Sequence, residues 1–230
     1  VVSFFPSWTN TRSWVLAKPL TGFTETFSYY LMELSEGGGS TKPDPDQSVE
    51  SIIFVTEGEV SLEIDSQREI LKPGGYAYIP PEKKWSIKNQ ISSLTKFHWI
   101  RKVYEKDANV VIPDAFIVNE QSVVPQEMPN DPRWKTTRFV EPSDLRHDMH
   151  VNIVSFEPGS SIPFPETHVM EHAIYILQGI GTYYLNGEWV DVEAGDFMAL
   201  RAFCPQACKA LGDEPFRYLL YKNVNRHIKL

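Results

Sequence analysis

One register recurs along this sequence: landmarks of its first half reappear 121 residues later. Glu36 and Glu157 stand that far apart, and so do Gly38 and Gly159, Gly58 and Gly179, and Gly74 and Gly195. A single matched glycine is cheap, but one offset held through several turns marks an internal duplication. Whatever unit the chain folds into must therefore be built twice, from about 100 residues each time.

The two copies share a texture. "SIIFVTEGEVSLEIDSQREILKPGGYAYIP" and "HAIYILQGIGTYYLNGEWVDVEAGDFMAL" alternate apolar with polar residues and break at Gly or Pro. Short alternating runs with frequent turn residues predict antiparallel strands in a sandwich or barrel. Asn186-Gly187 is a hairpin dipeptide, because its turn needs positive φ at both central residues. The expected fold is all-β, two jelly-roll barrels in tandem. The expected division is residues 1–110 for the first barrel, 111–146 for a Pro-rich connection supplying an edge strand, and 147–230 for the second. "EPSDLRHDM" in the connection is expected to hold one helical turn.

The charge balance excludes one class of partner. Twenty-two Lys and Arg stand against 30 Asp and Glu, giving a net charge of −8. Nucleic-acid binders carry a basic patch or stripe, so none is expected here. No apolar run reaches the ~18 residues of a membrane span. Cys204 and Cys208 read as reduced thiols rather than a disulfide framework, which points to the cytoplasm. The first residue is Val1 rather than Met, so an upstream segment stays open.

The chemistry concentrates in "PFPETHVMEHAIYILQG". Glu166 and His168 are two apart and share a strand face, and His172 keeps their parity after a short turn. A carboxylate and two imidazoles converging inside a barrel are metal-ligand chemistry. The alternative is an exposed polar loop before the strand "AIYIL". Glu171 has the opposite parity and is set aside. At minus 121 the first copy has Pro45, Gln47 and Ser51, which form no ligand set.

These residues resemble the cupin superfamily, whose first motif runs G-x5-H-x-H-x3,4-E-x6-G. Here it reads Gly159 onward to Glu166-x-His168-x3-His172-x6-Gly179, with a longer leading gap and permuted ligand types. The second motif, G-x5-P-x-G-x2-H-x3-N, falls on Gly195-x5-Arg201-x-Phe203-x2-Gln206-x3-Ala210. Its usual His is thus Gln206, whose amide oxygen suits Mn or Mg. In the first copy the same motif is Gly74-x5-Pro80-x-Glu82-x2-Trp85-x3-Asn89, with Trp85 at the ligand position. The resemblance implies a metal-free first barrel and one ion per chain.

The permuted set, with "ETHVMEHAIYILQGIGTYYLN" and the tail "FRYLLYKNVNRHIKL", is similar to the (S)-ureidoglycine aminohydrolase family of bicupins. The similarity spans nearly the whole chain and is strongest from Met149 to His227. It implies Mn2+ on Glu166, His168, His172 and Gln206, and substrate contacts from Tyr183, Tyr218 and Lys222. It further implies hydrolytic replacement of the α-amino group of (S)-ureidoglycine, giving ammonia and (S)-ureidoglycolate in allantoin breakdown. Lys222, and Glu166 as a proton-transfer group, are the expected catalytic residues.

Read without the resemblance, Tyr183 and Tyr218 also suit core packing, and Lys222 a solvated strand end. A bicupin sensor that binds a small acid without turnover, or a metal-dependent oxygenase or decarboxylase, are the rival functions. His98 is read as a core or interface histidine, and His147 and His150 as structural. Cys204 and Cys208 either line the site or pack. A homo-oligomer is expected, with a small anionic ureido compound as ligand and neither membrane nor nucleic acid as partner.

Overall fold

Alternation becomes strands throughout the computed structural model, which describes residues 2–3, 5–19, 24, 26–129 and 131–223. Val1 and the end of the tail, residues 224–230 with His227, lie outside the described residues. The chain divides into two compact units, Val1–Ser122 and Val123–Leu230. The stretch 111–146, expected to connect the barrels, is divided between them.

The first unit holds β1 (Val2–Ser3), β2 (Thr9–Ala17), β3 (Phe27–Ser40), β4 (Val49–Glu57), β5 (Val60–Ile64), β6 (Gln67–Leu71), β7 (Gly75–Ile79), β8 (Trp85–Lys88), β9 (Thr95–Val103) and β10 (Phe116–Asn119). These strands form one curled sheet in the order β10-β7-β4-β9-β3-β8-β5-β6, with β2 beside β3. The edge strand β10 comes from the stretch that follows the first repeat, and it pairs antiparallel with β7. A 3-10 turn, Glu120–Ser122, closes the unit.

The second unit holds β11 (Gln126–Met128), β12 (Asp131–Arg138), β13 (Met149–Phe156), β14 (His172–Gln178), β15 (Ile180–Leu185), β16 (Glu188–Glu193), β17 (Phe197–Leu200), β18 (Gln206–Leu211) and β19 (Phe216–Asn223). A six-stranded sheet, β11-β12-β13-β19-β14-β17, lies over a three-stranded one, β16-β15-β18. Their apposed faces make the core, which includes Phe156, Ile176, Tyr183, Phe216 and Tyr218. Each large apolar side chain removed from water there contributes roughly 1.5–3 kcal/mol. The expected helical turn in "EPSDLRHDM" is absent. Asp144 N bonds Glu141 O and His147 N bonds Asp144 O, two successive tight turns that stop short of a helix.

The duplication is legible in individual hydrogen bonds. Glu82 N donates to Gln47 O at 2.8 Å, and Phe203 N to His168 O at 2.6 Å. Asp65 N to Lys84 O recurs as Asn186 N to Pro205 O, both at 2.9 Å. Each partner is displaced by the same 121 residues. Glu82 (φ 67°) and Phe203 (φ 64°) both adopt the left-handed region where a glycine is usual. Gly179 (φ 79°) is required outright, because a Cβ there would meet Pro215 O at 2.5 Å.

The interiors of the two barrels differ. In the first, Trp85 packs edge-on to Trp99 with ring centroids 6.0 Å apart. Trp99 Nε1 donates to Ser51 Oγ at 3.1 Å. Ser51 and Trp85 stand where His172 and Gln206 stand in the second copy, so indoles fill the space that polar groups line there.

Candidate functional site

Strand pairing orders the inward residues of the second unit into layers. Trp134, Phe156 and Phe216 are register partners across β12, β13 and β19, and make an apolar base. Above them come Thr136, Val154, Tyr218 and Ile176, then Arg138, Asn152, Leu220 and Ile174. The top layer aligns His150, Lys222 and His172. Polarity therefore rises along the barrel axis, and a cavity of about 150 Å³ opens at the polar end. That is well below the roughly 300–1,000 Å³ of drug-sized pockets, a size suited to a small metabolite.

All seven residues singled out above line this cavity: Glu166, His168, His172, Tyr183, Gln206, Tyr218 and Lys222. Glu166 reaches it by a two-residue bridge to β18, in which Glu166 N donates to Gln206 O at 2.8 Å and Gln206 N to Glu166 O at 2.9 Å. His168 is fixed through its carbonyl by Phe203 N, so the second-motif turn holds the first-motif loop. His172 opens β14, the strand that carries the buried run "HAIYI". Its ring lies 5.1 Å from that of His168, centroid to centroid, and His168 Nε2 is 3.2 Å from Glu166 Oε1. Tyr183 donates its hydroxyl proton to Gln206 Oε1 at 3.0 Å.

The electrostatics follow from burial. Desolvation, reinforced by the nearby His168 and Lys222, lowers the His172 pKa to about 3. Its imidazole is neutral at physiological pH, the form that ligates metal. Burial holds the Tyr183 and Tyr218 hydroxyls well above their ordinary pKa, so both remain proton donors. Burial also lowers Lys222, aided by the charge of Arg138 and opposed by Glu166.

No three His, Cys, Asp or Glu side chains among the described residues are drawn around one point as a ready-made metal cage. Glu166 and His168 instead face each other, and Gln206 Oε1 accepts from Tyr183. The donor set nevertheless fits a divalent cation. A carboxylate, two imidazoles and an amide oxygen stand on one rim, they are the hard and borderline donors that suit Mn, and His172 is held unprotonated. Tyr183 is placed to orient Gln206 as an outer-shell partner does.

The remaining candidates fall outside the cavity. Glu171 is buried with its N–H on Asn223 Oδ1, away from the lining. His98 is a core histidine: its Nδ1 is 3.1 Å from the Tyr29 hydroxyl, and burial lowers its pKa to about 3. His147 and His150 are buried with rings 6.5 Å apart. Cys208 belongs to the core and Cys204 packs against it, so neither lines the cavity.

Among the lining residues that the sequence did not single out are Arg138 and Asn152. The signal for Asn152 was present: "MHVNIVSF" places an amide on the inward parity of an otherwise apolar strand. Arg138 gave no such signal, because its strand follows a Pro-rich stretch whose register is not readable.

Comparison with known proteins gives the family of the chain. Residues 30–101 and 152–221 match the family model described as "Cupin domain". An (S)-ureidoglycine aminohydrolase of Arabidopsis thaliana is 32% identical over 99% of this chain and 74% of that protein. Its counterpart in Escherichia coli K12 is 29% identical over the full chain and 87% of its own. A crystal structure from Pseudomonas aeruginosa, of a protein named for induction by glyoxylate, superposes with a TM-score of 0.94 at 57% identity. It covers 100% of this chain and 86% of its own.

Proposed function

Because this chain belongs to the cupin family, and within it to the (S)-ureidoglycine aminohydrolases, we propose that it is a hydrolase acting on (S)-ureidoglycine in allantoin breakdown. Water supplies the hydroxyl that replaces the α-amino group, the C–N bond breaks, and ammonia leaves, giving (S)-ureidoglycolate. The observation that carries this reading is the meeting of Glu166, His168, His172, Gln206, Tyr183, Tyr218 and Lys222 on the walls of one small cavity.

In this reading Glu166, His168, His172 and Gln206 hold one Mn2+, and the first barrel holds none. The ion, when bound, supplies Lewis acidity and a template for a small chelating acid. The Lys222 ammonium pairs with the substrate carboxylate, a charge-assisted contact strengthened by the loss of water around it. Tyr183 and Tyr218, kept protonated, donate hydrogen bonds and exclude water from the inner wall. Glu166, on the same cavity wall, is assigned the relay of a proton to the departing amine.

The enzyme is proposed to be a cytoplasmic homo-oligomer without nucleic-acid or membrane partners. No helix among the described residues is long and apolar enough to cross a membrane.

Ammonia release from freshly prepared (S)-ureidoglycine, measured alongside metal content, tests the reading. Turnover that requires about one Mn per chain is the expected result. Stoichiometric metal and tight carboxylate binding without ammonia release would establish a sensor instead, and dioxygen uptake would establish an oxygenase.

A further inference from the structure

Asn152 is 3% exposed, yet its side chain lines the cavity and makes no hydrogen bond among the described residues. Its amide faces the cavity rather than protein partners, so both its donor and its acceptor are open to a ligand that enters. Its surroundings restrict what that ligand is. Asn152 pairs in register with Arg138 on β12 and with Leu220 on β19. Arg138 is tethered by Gln126 Oε1 and by Met128 Sδ, the latter at 3.8 Å. Lys222, two residues beyond Leu220, is the diagonal neighbour of Asn152, at a typical Cα separation of about 7–8 Å. The unbonded amide thus sits on a wall bounded by two cations.

The geometry points to Asn152 as the residue that recognises the terminal ureido group of the substrate. An Asn side chain has a carbonyl oxygen beside an NH2 group, and the end of a ureido group has the same pair reversed. Two parallel hydrogen bonds form when they meet. Asn152 NH2 donates to the ureido oxygen, and the ureido NH2 donates to Asn152 Oδ1. With its carboxylate on Lys222, an α-ureido acid places its far end toward Asn152. A simple α-hydroxy or α-amino acid leaves this amide unsatisfied, and sites built this way reject ligands that lack the matching polar group. Arg138 acts as a positioning residue, its guanidinium confining the amide from the adjacent strand. The inference rests on the function proposed above, of which it specifies the substrate end.

The test compares two stable carboxylates that differ only at that end, ureidoacetate and N-acetylglycine, in which methyl replaces the terminal NH2. Dissociation constants are measured on the Mn-supplied, full-length protein, with metal content as a control. Wild type is expected to prefer ureidoacetate at least tenfold. Asn152→Leu is expected to reduce that preference below threefold, weakening ureidoacetate by two hydrogen bonds and N-acetylglycine only by the one to its carbonyl oxygen, with the metal content within threefold of wild type. If the leucine variant fails to fold, Asn152→Ala provides the same comparison. A preference retained in the variant, an equal weakening of both ligands, or no preference in wild type overturns the assignment. A ureido preference lost on substitution, in a protein that releases no ammonia from ureidoglycine, sinks the reaction proposed above and leaves the Asn152 assignment standing.

Discussion

The Tyr183 hydroxyl donates to Gln206 Oε1 across 3.0 Å, joining neighbouring strands β15 and β18 at the inner wall of the cavity. Gln206 is the only amide in the proposed ligand set, and its oxygen is aimed by this one bond. Tyr183→Phe keeps the ring in its core contacts and deletes the donor. Loss of an outer-shell partner typically weakens metal binding about 10–100-fold. That drop is expected in Mn titrations, with thermal unfolding reflecting about 1–3 kcal/mol of lost stability in the metal-free protein.

His172 is expected to be indispensable to metal retention. Its ring is buried and neutral, 5.1 Å from that of His168. His172→Ala should remove bound Mn and ammonia release together. Elemental analysis of the purified variant, followed by assay in excess Mn, checks this. Full turnover in metal-stripped variant protein would refute the ligand assignment.

Lys222 should govern affinity for the acid. Hydrogen bonds to charged groups contribute about 1.5–3 kcal/mol, and removing this one is expected to raise KM roughly 10–100-fold. Lys222→Met retains most of the apolar stem, so packing against its cross-strand partners His150 and His172 survives. Steady-state kinetics with ureidoglycine, and competition by ureidoacetate, read the effect.

Acid should destabilise the fold early. His98 and His172 have pKa values lowered by burial to about 3, and His150 to about 4, from an ordinary 6.5. Below pH 6.5 the unfolded chain takes up protons that the folded chain refuses. Stability is therefore full above that pH and falls as pH drops toward 3, by up to about 1.4 kcal/mol per pH unit for each histidine. Urea midpoints at pH 7 and pH 5 measure the decline. His98→Leu should flatten the slope by up to one proton, whatever it does to absolute stability.

Glu82 and Phe203 are exposed residues held at positive φ. A left-handed non-glycine residue costs about 1–2 kcal/mol, offset in part by the entropy a glycine loses on folding. Glu82→Gly is expected to stabilise the protein by roughly 0.5–1 kcal/mol, seen as a higher urea midpoint. A lower midpoint would mean that the carboxylate contributes more than its exposure suggests.

Much of this architecture is legible in the sequence because its signals are local or periodic. Alternation locates β14 and β15, and the Asn186-Gly187 turn separates β15 from β16, as a hairpin dipeptide should. The 121-residue offset extends to paired backbone bonds, since turn geometry is dictated by residues close in sequence. Glu166, His168 and His172 line one cavity, but only His172 lies on a strand, so a bridge and a loop rather than strand parity bring the other two there. The wall opposite was not legible. Arg138 meets Asn152 through the β12–β13 pairing, and the register across an irregular connection leaves no period to count. Asn152 stood in plain view, but an inward amide is conspicuous only once its neighbours are known. The helical turn expected in "EPSDLRHDM" failed because Asp144 bonds its own local backbone and Arg146 instead, the competition through which Asp favours turns over helices.

The indoles of Trp85 and Trp99 in the first barrel have a consequence for the second. A frame that keeps these matched turns yet fills its heart with aromatic rings shows how little such turns need from the residues at its mouth. The corresponding cavity of the later copy is lined by groups that contribute poorly to cohesion, among them the half-buried ammonium of Lys222, the amide of Asn152 and the uncharged imidazole of His172. On the proposed function, the residues at the mouth of the second barrel are free to vary without disturbing the turns that both copies share.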